Sequence, residues 1–387
     1  MSRYCPICKS VKKEFVSKLC ANMAVMGEEF PAIESSNVVC KDCGCVYVDI
    51  EAKQALFTNY YNSQASIGIE YYKLFGVRQT KDYYRHIYES IKEYINFESN
   101  ILDCGCGMGD FCVYLKDLGY KNVLGTDPSS RSIDNAKEKG VECIVADAFS
   151  KNQSFSEKFD LIIFSHVVEH ILDSDIAIEN IKTMLKPGGV IYMEVPDAKK
   201  YCDVKCTPYF FFTYEHLTHY TMNSFENMAG AFGLELLNSE VYLKCESYYV
   251  AYGIFKKGGQ YKPVKYYPDT LKAIKRYIEF CSEDLKEFIA PLAYSQEPLA
   301  LWGIGASTAQ LLSGTFDNCK VVNLIDNNPK RQGLKFLISN MELFTQPPST
   351  LEDHSVTIVI LSAMYKESII KQIRSLGFQN KVVALKS

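Results

Sequence analysis

The stretch Ile101-Leu102-Asp103-Cys104-Gly105-Cys106-Gly107-Met108-Gly109-Asp110-Phe111 constrains this chain more than any other. A short apolar run that reads as a strand enters three glycines at alternate positions and leaves into a helical pattern. Glycines so placed let the backbone turn sharply and approach a ligand without Cβ collisions. Acids recur at the tips of neighbouring strands: Asp103 closes the first, Asp127 the second, and Asp147 follows the third. Carboxylates there accept paired hydroxyl hydrogens well and would repel the phosphates of a dinucleotide.

Around this loop, from about Gly76 to Phe255, short apolar runs alternate with helical patterns. Helices are expected over 81–94, 111–118, 130–139 and 176–185, and strands over 100–103, 123–126, 144–146, 161–164 and 190–195. Such alternation predicts an α/β fold with a doubly wound, mostly parallel sheet. A chain of 387 residues exceeds one ordinary core, and the pattern divides it into 1–75, 76–256 and 257–387. The last part opens with a Gly/Pro-bearing linker and a helix over 271–290, then begins a second βαβ pattern at Leu299. There Gly303-Ile304-Gly305 and Asp326 imitate a dinucleotide fingerprint, but Thr308 stands where its last glycine belongs. A cofactor-free scaffold is the expected role. Trp302, just before this loop, is read as either core or a stacking surface.

The formal net charge of −4 gives no general attraction to nucleic acid or anionic lipid. The opening residues lack the apolar core of a signal peptide, and the apolar run at 357–365 is too short for a bilayer and reads as a buried strand. Fifteen cysteines without a secretion signal fit a reducing compartment, so a cytoplasmic location is expected. Four of them, Cys5 and Cys8 with Cys40 and Cys43, form two C-x-x-C pairs, the second followed by Gly44. Two such pairs can supply the four thiolates of a structural Zn2+ site, with Cys45 and Cys20 as rival ligands and unligated buried thiols as the competing reading. Neither pair has the strand-to-helix setting of a redox motif.

Six histidines are present, and two groups of them stand out. Ser165-His166-Val167-Val168-Glu169-His170 follows the fourth strand, at the edge where open α/β sheets bind ligands. Tyr214-Glu215-His216-Leu217-Thr218-His219 lies beyond the fifth strand and the aromatic run 209–212. An imidazole with a neighbouring acid and aromatics makes a dry pocket containing a base. Helix packing is the competing role, above all for His170, and His219 is read as facing away.

The glycine loop with its ordered acids resembles the class I S-adenosylmethionine-dependent methyltransferases. That resemblance implies that Gly105, Gly107 and Gly109, backed by Asp103, hold the methionine part of the cofactor. It places the ribose on Asp127, the adenine amine near Asp147, and Ser165 against the cofactor. The three-part layout further resembles the nucleotide-sugar C-methyltransferases, with an N-terminal zinc-binding domain, a central methyltransferase domain and a C-terminal Rossmann-like domain. In that family a Tyr-rich stretch contacts the sugar, which falls here on Tyr60 and Tyr61. Thr213 replaces the family's tyrosine three positions before the basic histidine, and Cys245-Glu246-Ser247-Tyr248-Tyr249 replaces a glycine-rich strand. The resemblance implies methyl transfer to a carbon beside a ketone of a nucleotide-linked sugar. His216 would act as base, oriented by Glu215, with His166, Tyr214 or Tyr60 donating to the enolate oxygen. Rival readings are an O-methyltransferase on a sugar or small molecule, a zinc-knuckle RNA methyltransferase, and a non-catalytic scaffold that binds S-adenosylmethionine.

Overall fold

The computed structural model of the chain describes residues 3–19, 35–59, 61–62, 81–150, 152–204, 206–212, 216–244, 248–363 and 365–385. They form two compact units, one drawn from 1–17, 36–203 and 215–274, the other from 18–35, 204–214 and 275–387.

In the first unit the apolar runs become β4 (Asn100–Cys104), β5 (Asn122–Asp127), β6 (Glu142–Val145), β7 (Phe159–Ser165) and β8 (Leu185–Pro196). Between them lie α2 (Asp110–Asp117), α3 (Ser130–Glu138) and α4 (Ser174–Met184), preceded by α1 (Lys81–Ile91). A closing hairpin, β10 (Leu234–Lys244) and β11 (Tyr248–Lys257), follows α5 (Met222–Phe232). The strand order is β10-β11-β8-β7-β4-β5-β6. Strands β8 to β6 pair in parallel and β11 runs antiparallel to β8.

Because side chains alternate across a strand, each parallel strand feeds two cores. Leu102, Ile162, Ile191 and Met193 enter one, while Ile101, Leu161, Ile163 and Tyr192 enter the other. Burial on both faces explains why these strands read as unbroken apolar runs. The parallel pairing brings the carboxyl tips of β4, β5, β6 and β7 to one edge.

Three local expectations differ from the fold. Helix α1 stops at Ile91 and tightens into a 3-10 turn over Lys92–Tyr94. Strand β8 begins at Leu185 rather than Val190: Leu185 pairs with Phe159, then the register jumps so that Val190 meets Leu161. Lys186-Pro187-Gly188-Gly189 is absorbed as a bulge, with Gly188 at φ +77°. The hairpin β10–β11 had no counterpart among the expected strands, because half of β10 faces outward and blurs its alternation.

A smaller sheet has the order β1 (Lys13–Leu19), β2 (Ser35–Cys40), β3 (Val46–Ile50), β9 (Thr218–His219). Its last ladder pairs Val46 with His219 and Tyr47 with Thr218, joining the cysteine-bearing segment to the stretch that carries His216. Arg3 reinforces this joint from inside. Its guanidinium donates to the carbonyls of Leu172 at 2.6 Å, Leu217 at 2.7 Å and Val48 at 3.2 Å, and to Thr218 Oγ1 at 3.2 Å. It thus holds three chain segments at once, and burial pushes its pKa down.

The second unit receives the greater part of α6 (Asp269–Ser295) and holds β12 (Leu299–Trp302), α7 (Ala306–Thr315), β13 (Val321–Ile325), β14 (Lys335–Ile338), β15 (Met341–Gln346), β16 (Thr357–Ile360), α8 (Lys366–Ser375) and β17 (Val382–Ala384). The order is β14-β15-β13-β12-β16-β17, parallel except for β14. After β12, the Thr308 hydroxyl donates to the carbonyls of Gly303 at 2.7 Å and Gly305 at 3.0 Å, so the side chain closes the loop on itself. Trp302 is core, 1% exposed and edge-on to Phe378. Among the described residues no helix is long and apolar enough to cross a membrane.

Replacing Arg3 by Met keeps the apolar stem but leaves buried carbonyls without donors. The expected loss is about 3 kcal/mol of unfolding free energy, from several charge-assisted hydrogen bonds at ~1.5–3 kcal/mol each with partial relaxation. Urea denaturation of the two proteins measures it.

Candidate active site

The glycine loop turns between β4 and α2 with Gly105, Gly107 and Gly109 at φ +87°, +52° and +72°, conformations that glycine adopts freely. A Cβ on Gly105 would lie 2.3 Å from Val167 Cγ2, and one on Gly109 would lie 2.8 Å from Ala136 Cβ. At Gly107 the same atom would meet nothing within 4 Å. Gly105 and Gly109 therefore admit neighbouring chain, while Gly107 presents bare backbone to open space.

Asp127 is fully buried at the tip of β5. Its Oδ2 accepts from the Gly107 N–H at 3.1 Å and the Tyr61 hydroxyl at 3.1 Å, and Oδ1 accepts from the Ser129 N–H at 2.9 Å. Burial raises its pKa, and those donors oppose the rise. Tyr61, expected against a sugar, has its hydroxyl on Asp127 in this structure. Asp103 lies beneath the loop, accepting from the Cys112 thiol at 3.6 Å, and burial pushes it up to about 7.

Asp147 follows β6 and folds its own turn, accepting from the N–H groups of Phe149 at 3.0 Å and Ser150 at 2.6 Å. Beside it opens a cavity of about 360 Å³ lined by Val145, Ala146, Asp147, Leu102, Cys104 and Thr126, with Phe155 and Met184 behind. Small-ligand sites begin at about this size.

Strand β7, on the other side of β4, ends in Ser165, and His166 follows it. His166 has φ +54°, a left-handed conformation that is uncommon outside glycine and collects at functional sites. Its Nδ1 is 3.2 Å from Glu169 Oε1, and its Nε2 is 2.9 Å from Glu194 Oε1, off the line of a good hydrogen bond. Burial and Lys244 push the imidazole pKa down, but the Glu169 and Glu194 carboxylates prevail and raise it. His166 is thereby suited to donate rather than to accept a proton.

Glu194 escaped the sequence reading, although a lone acid inside an apolar strand is a signal that a buried charge must be paired. It is fully buried. Oε1 accepts from Tyr83 at 2.8 Å and Ser165 at 3.1 Å, and Oε2 accepts from Tyr192 at 2.7 Å and from Tyr242. Burial opposes its ionisation, yet His166, Lys244 and Tyr242 hold it well below the usual carboxylate range.

His170 and His216 stand next to this group, ring centroids 5.0 Å apart and inclined at 62°. His170 Nε2 lies 3.7 Å from Glu169 Oε1. His219 is elsewhere, buried between Tyr201 at 3.3 Å and Asn37 at 3.3 Å, and burial lowers it to about 3. Tyr60, Thr213, Tyr214, Glu215 and Cys20 lie outside the described residues.

The four cysteines of the two pairs converge. Cys5 Sγ is 3.5 Å from Cys43 Sγ, Cys8 Sγ is 3.5 Å from Cys40 Sγ, and all four sulfurs lie within 4.8 Å of one another. Tetrahedral thiolates at about 2.3 Å from Zn2+ sit about 3.8 Å apart, so the set fits that ion. Each pair is a knuckle: the Lys9 N–H donates to the Cys5 carbonyl and the Gly44 N–H to the Cys40 carbonyl, both at 2.9 Å. Cys45 turns its thiol to the Val46 carbonyl and is not among the four.

Residues 77–239 match a family described as a methyltransferase domain. A ubiquinone biosynthesis O-methyltransferase from a Chelativorans species is 39% identical over 98 residues, 24% of this chain and 38% of that protein. Its counterpart from Nitrobacter winogradskyi is 34% identical over 95 residues, 24% of this chain and 36% of that protein. The chain thus spans under two-fifths of the length of these curated relatives. Among solved structures, a 1,6-didemethyltoxoflavin N1-methyltransferase from Burkholderia thailandensis covers 60% of this chain and 99% of its own at 13% identity, with a TM-score of 0.42. An S-adenosylmethionine-dependent methyltransferase assigned as putative in Listeria monocytogenes covers 46% and 99% at 16% identity, with a TM-score of 0.37.

The buried charges make stability depend on pH from both sides. Glu194, depressed in the fold, contributes stability above the ordinary carboxylate range that is lost as pH falls below it. His166, raised in the fold, contributes below the ordinary imidazole value, and this is lost as pH rises through its higher folded value. Glu194→Gln should cost about 3 kcal/mol at neutral pH, the scale for breaking a buried charge pair, and should flatten the acid limb. Urea denaturation at a series of pH values tests both.

Proposed function

We propose that this chain, whose middle part is a class I S-adenosylmethionine-dependent methyltransferase domain, methylates a carbon next to a ketone in a nucleotide-linked sugar. The observation that carries the reading is the contact of the loop after β7 with the glycine loop. Val167 occupies the space of the absent Gly105 side chain, so the imidazole–carboxylate group borders the cofactor seat directly. The order of the parts supports the sugar substrate: four convergent cysteines, then the methyltransferase domain, then a second parallel sheet.

S-adenosylmethionine, when bound, supplies a methyl group on a positively charged sulfur, which needs no further activation. Asp127 accepts the ribose hydroxyls once the Tyr61 hydroxyl yields its place, and the Gly107 backbone lies open to the methionine part. Asp147 borders the cavity that takes the adenine. The acceptor carbon becomes nucleophilic only after losing a proton, and His216 takes that proton on a ring nitrogen. His166, whose protonated form Glu169 and Glu194 favour, donates to the oxygen on which the negative charge gathers. The carbon so activated would be the nucleophile toward the methyl group that the cofactor supplies, and the residues around it would serve to hold the two in line. The four cysteines hold a structural Zn2+ that fixes the N-terminal segment.

Transfer to a hydroxyl is a second reading, favoured by the O-methyltransferase names of the curated relatives. The same groups would then take a hydroxyl proton. NMR of the product formed from a keto-sugar nucleotide with 13C-labelled methyl donor separates the two, since a methyl on carbon and a methyl on oxygen differ widely in shift. Only the first outcome agrees with the proposal. His216→Ala should lower kcat by at least about 100-fold, the usual contribution of a general base being ~10²–10⁴. Calorimetry should show its affinity for S-adenosylhomocysteine within twofold of the parent. Unchanged turnover would remove His216 from the mechanism.

A further inference from the structure

We propose that Glu169, His170 and His216 form a binding site for a first-row divalent transition-metal ion, distinct from the four-cysteine group. One ligating atom from each lies within 4.8 Å of the others. Glu169 is 2% exposed, and only its Oε1 faces His166 and His170. Its Oε2 is buried without a hydrogen-bond partner. A carboxylate oxygen shut away from water and left unpaired is costly, and a cation is the group that satisfies it best.

The ligands are held from behind. The Leu217 N–H donates to the Glu169 carbonyl at 2.7 Å, and Arg3 binds the carbonyls of Leu172 and Leu217 together. The segments bearing Glu169–His170 and His216 are therefore fixed side by side before any ion arrives. Ligand atoms about 2.0–2.2 Å from an ion stand roughly 3–3.5 Å apart, so the two half-exposed rings need only turn inward. Two imidazoles and one carboxylate suit Zn2+, Co2+, Fe2+ or Mn2+ over Ca2+ or Mg2+. Three protein ligands leave positions open for an oxygen of the acceptor. This places the ion on the acceptor side of the proposed reaction, where it would compete with the acceptor's proton for His216, so the metal-bound chain is a state in which His216 does not act as the base.

The test uses the full chain loaded first with one equivalent of Zn2+ to fill the cysteines, then titrated with Co2+, without cofactor or acceptor. We expect one further ion per chain. Its visible absorption should be that of nitrogen and oxygen ligands, with no thiolate charge-transfer band. His170→Ala and the near-isosteric Glu169→Gln should each weaken it at least tenfold while their melting transitions stay cooperative. Absence of any bound Co2+ on the zinc-loaded chain, thiolate absorption only, or affinity unchanged in both variants would overturn the proposal. Calorimetry with S-adenosylhomocysteine on the same samples keeps the outcome apart from the methyltransferase reading, since that binding does not require the ion.

Discussion

The carboxylate of Asp127 is the hinge on which the first unit turns. It sits at the tip of β5 with no exposure, and the backbone N–H of Gly107 donates to it from the neighbouring strand's loop. That bond fixes where the glycine loop runs, and the loop fixes the start of α2 and the space left above the sheet. A side chain at Gly105 would collide with Val167, so the loops after β4 and β7 can close on each other only because glycine is there. The glycine loop and the imidazole group thus share one wall. An isolated buried carboxylate would be unfavourable; here it is held by two backbone N–H groups and a tyrosine hydroxyl.

A second constraint comes from the other end of the chain. Arg3 reaches from the cysteine segment to the carbonyls beside Glu169–His170 and His216, and β3 pairs with β9 just beyond. The metal-type knuckles and the candidate catalytic residues therefore form one mechanical assembly. Glu194 supplies the complementary anchor on the sheet side, gathering Tyr83, Ser165, Tyr192 and Tyr242 around one charge, while its backbone carbonyl accepts from the His166 N–H at 2.8 Å.

Features with a local cause could be read from the sequence. Alternating apolar runs and helices gave the parallel strands β4 to β8 nearly in place, because burial on both faces leaves a continuous apolar signature. The two C-x-x-C pairs and the acids at strand tips were equally plain, since their spacing is itself the chemistry. Features made by distant partners could not be read. Arg3 in the sequence is one basic residue near the start, and only the fold surrounds it with carbonyls from residues 48, 172 and 217. The resemblance to a family implied a sugar role for Tyr61, and nothing local in the sequence showed its hydroxyl on Asp127, sixty-six positions away. The bulge in β8 needed knowledge of its pairing with Phe159.

The central claim is that Gly105–Gly109 and Asp127 seat an adenosine carrying a charged sulfur. Isothermal calorimetry of the zinc-loaded chain with S-adenosylmethionine tests it most directly. One-to-one binding, weakened at least tenfold by Asp127→Ala in a protein that still melts cooperatively, is the result this account requires. No heat from the parent protein, or equal affinity in the variant, would contradict it.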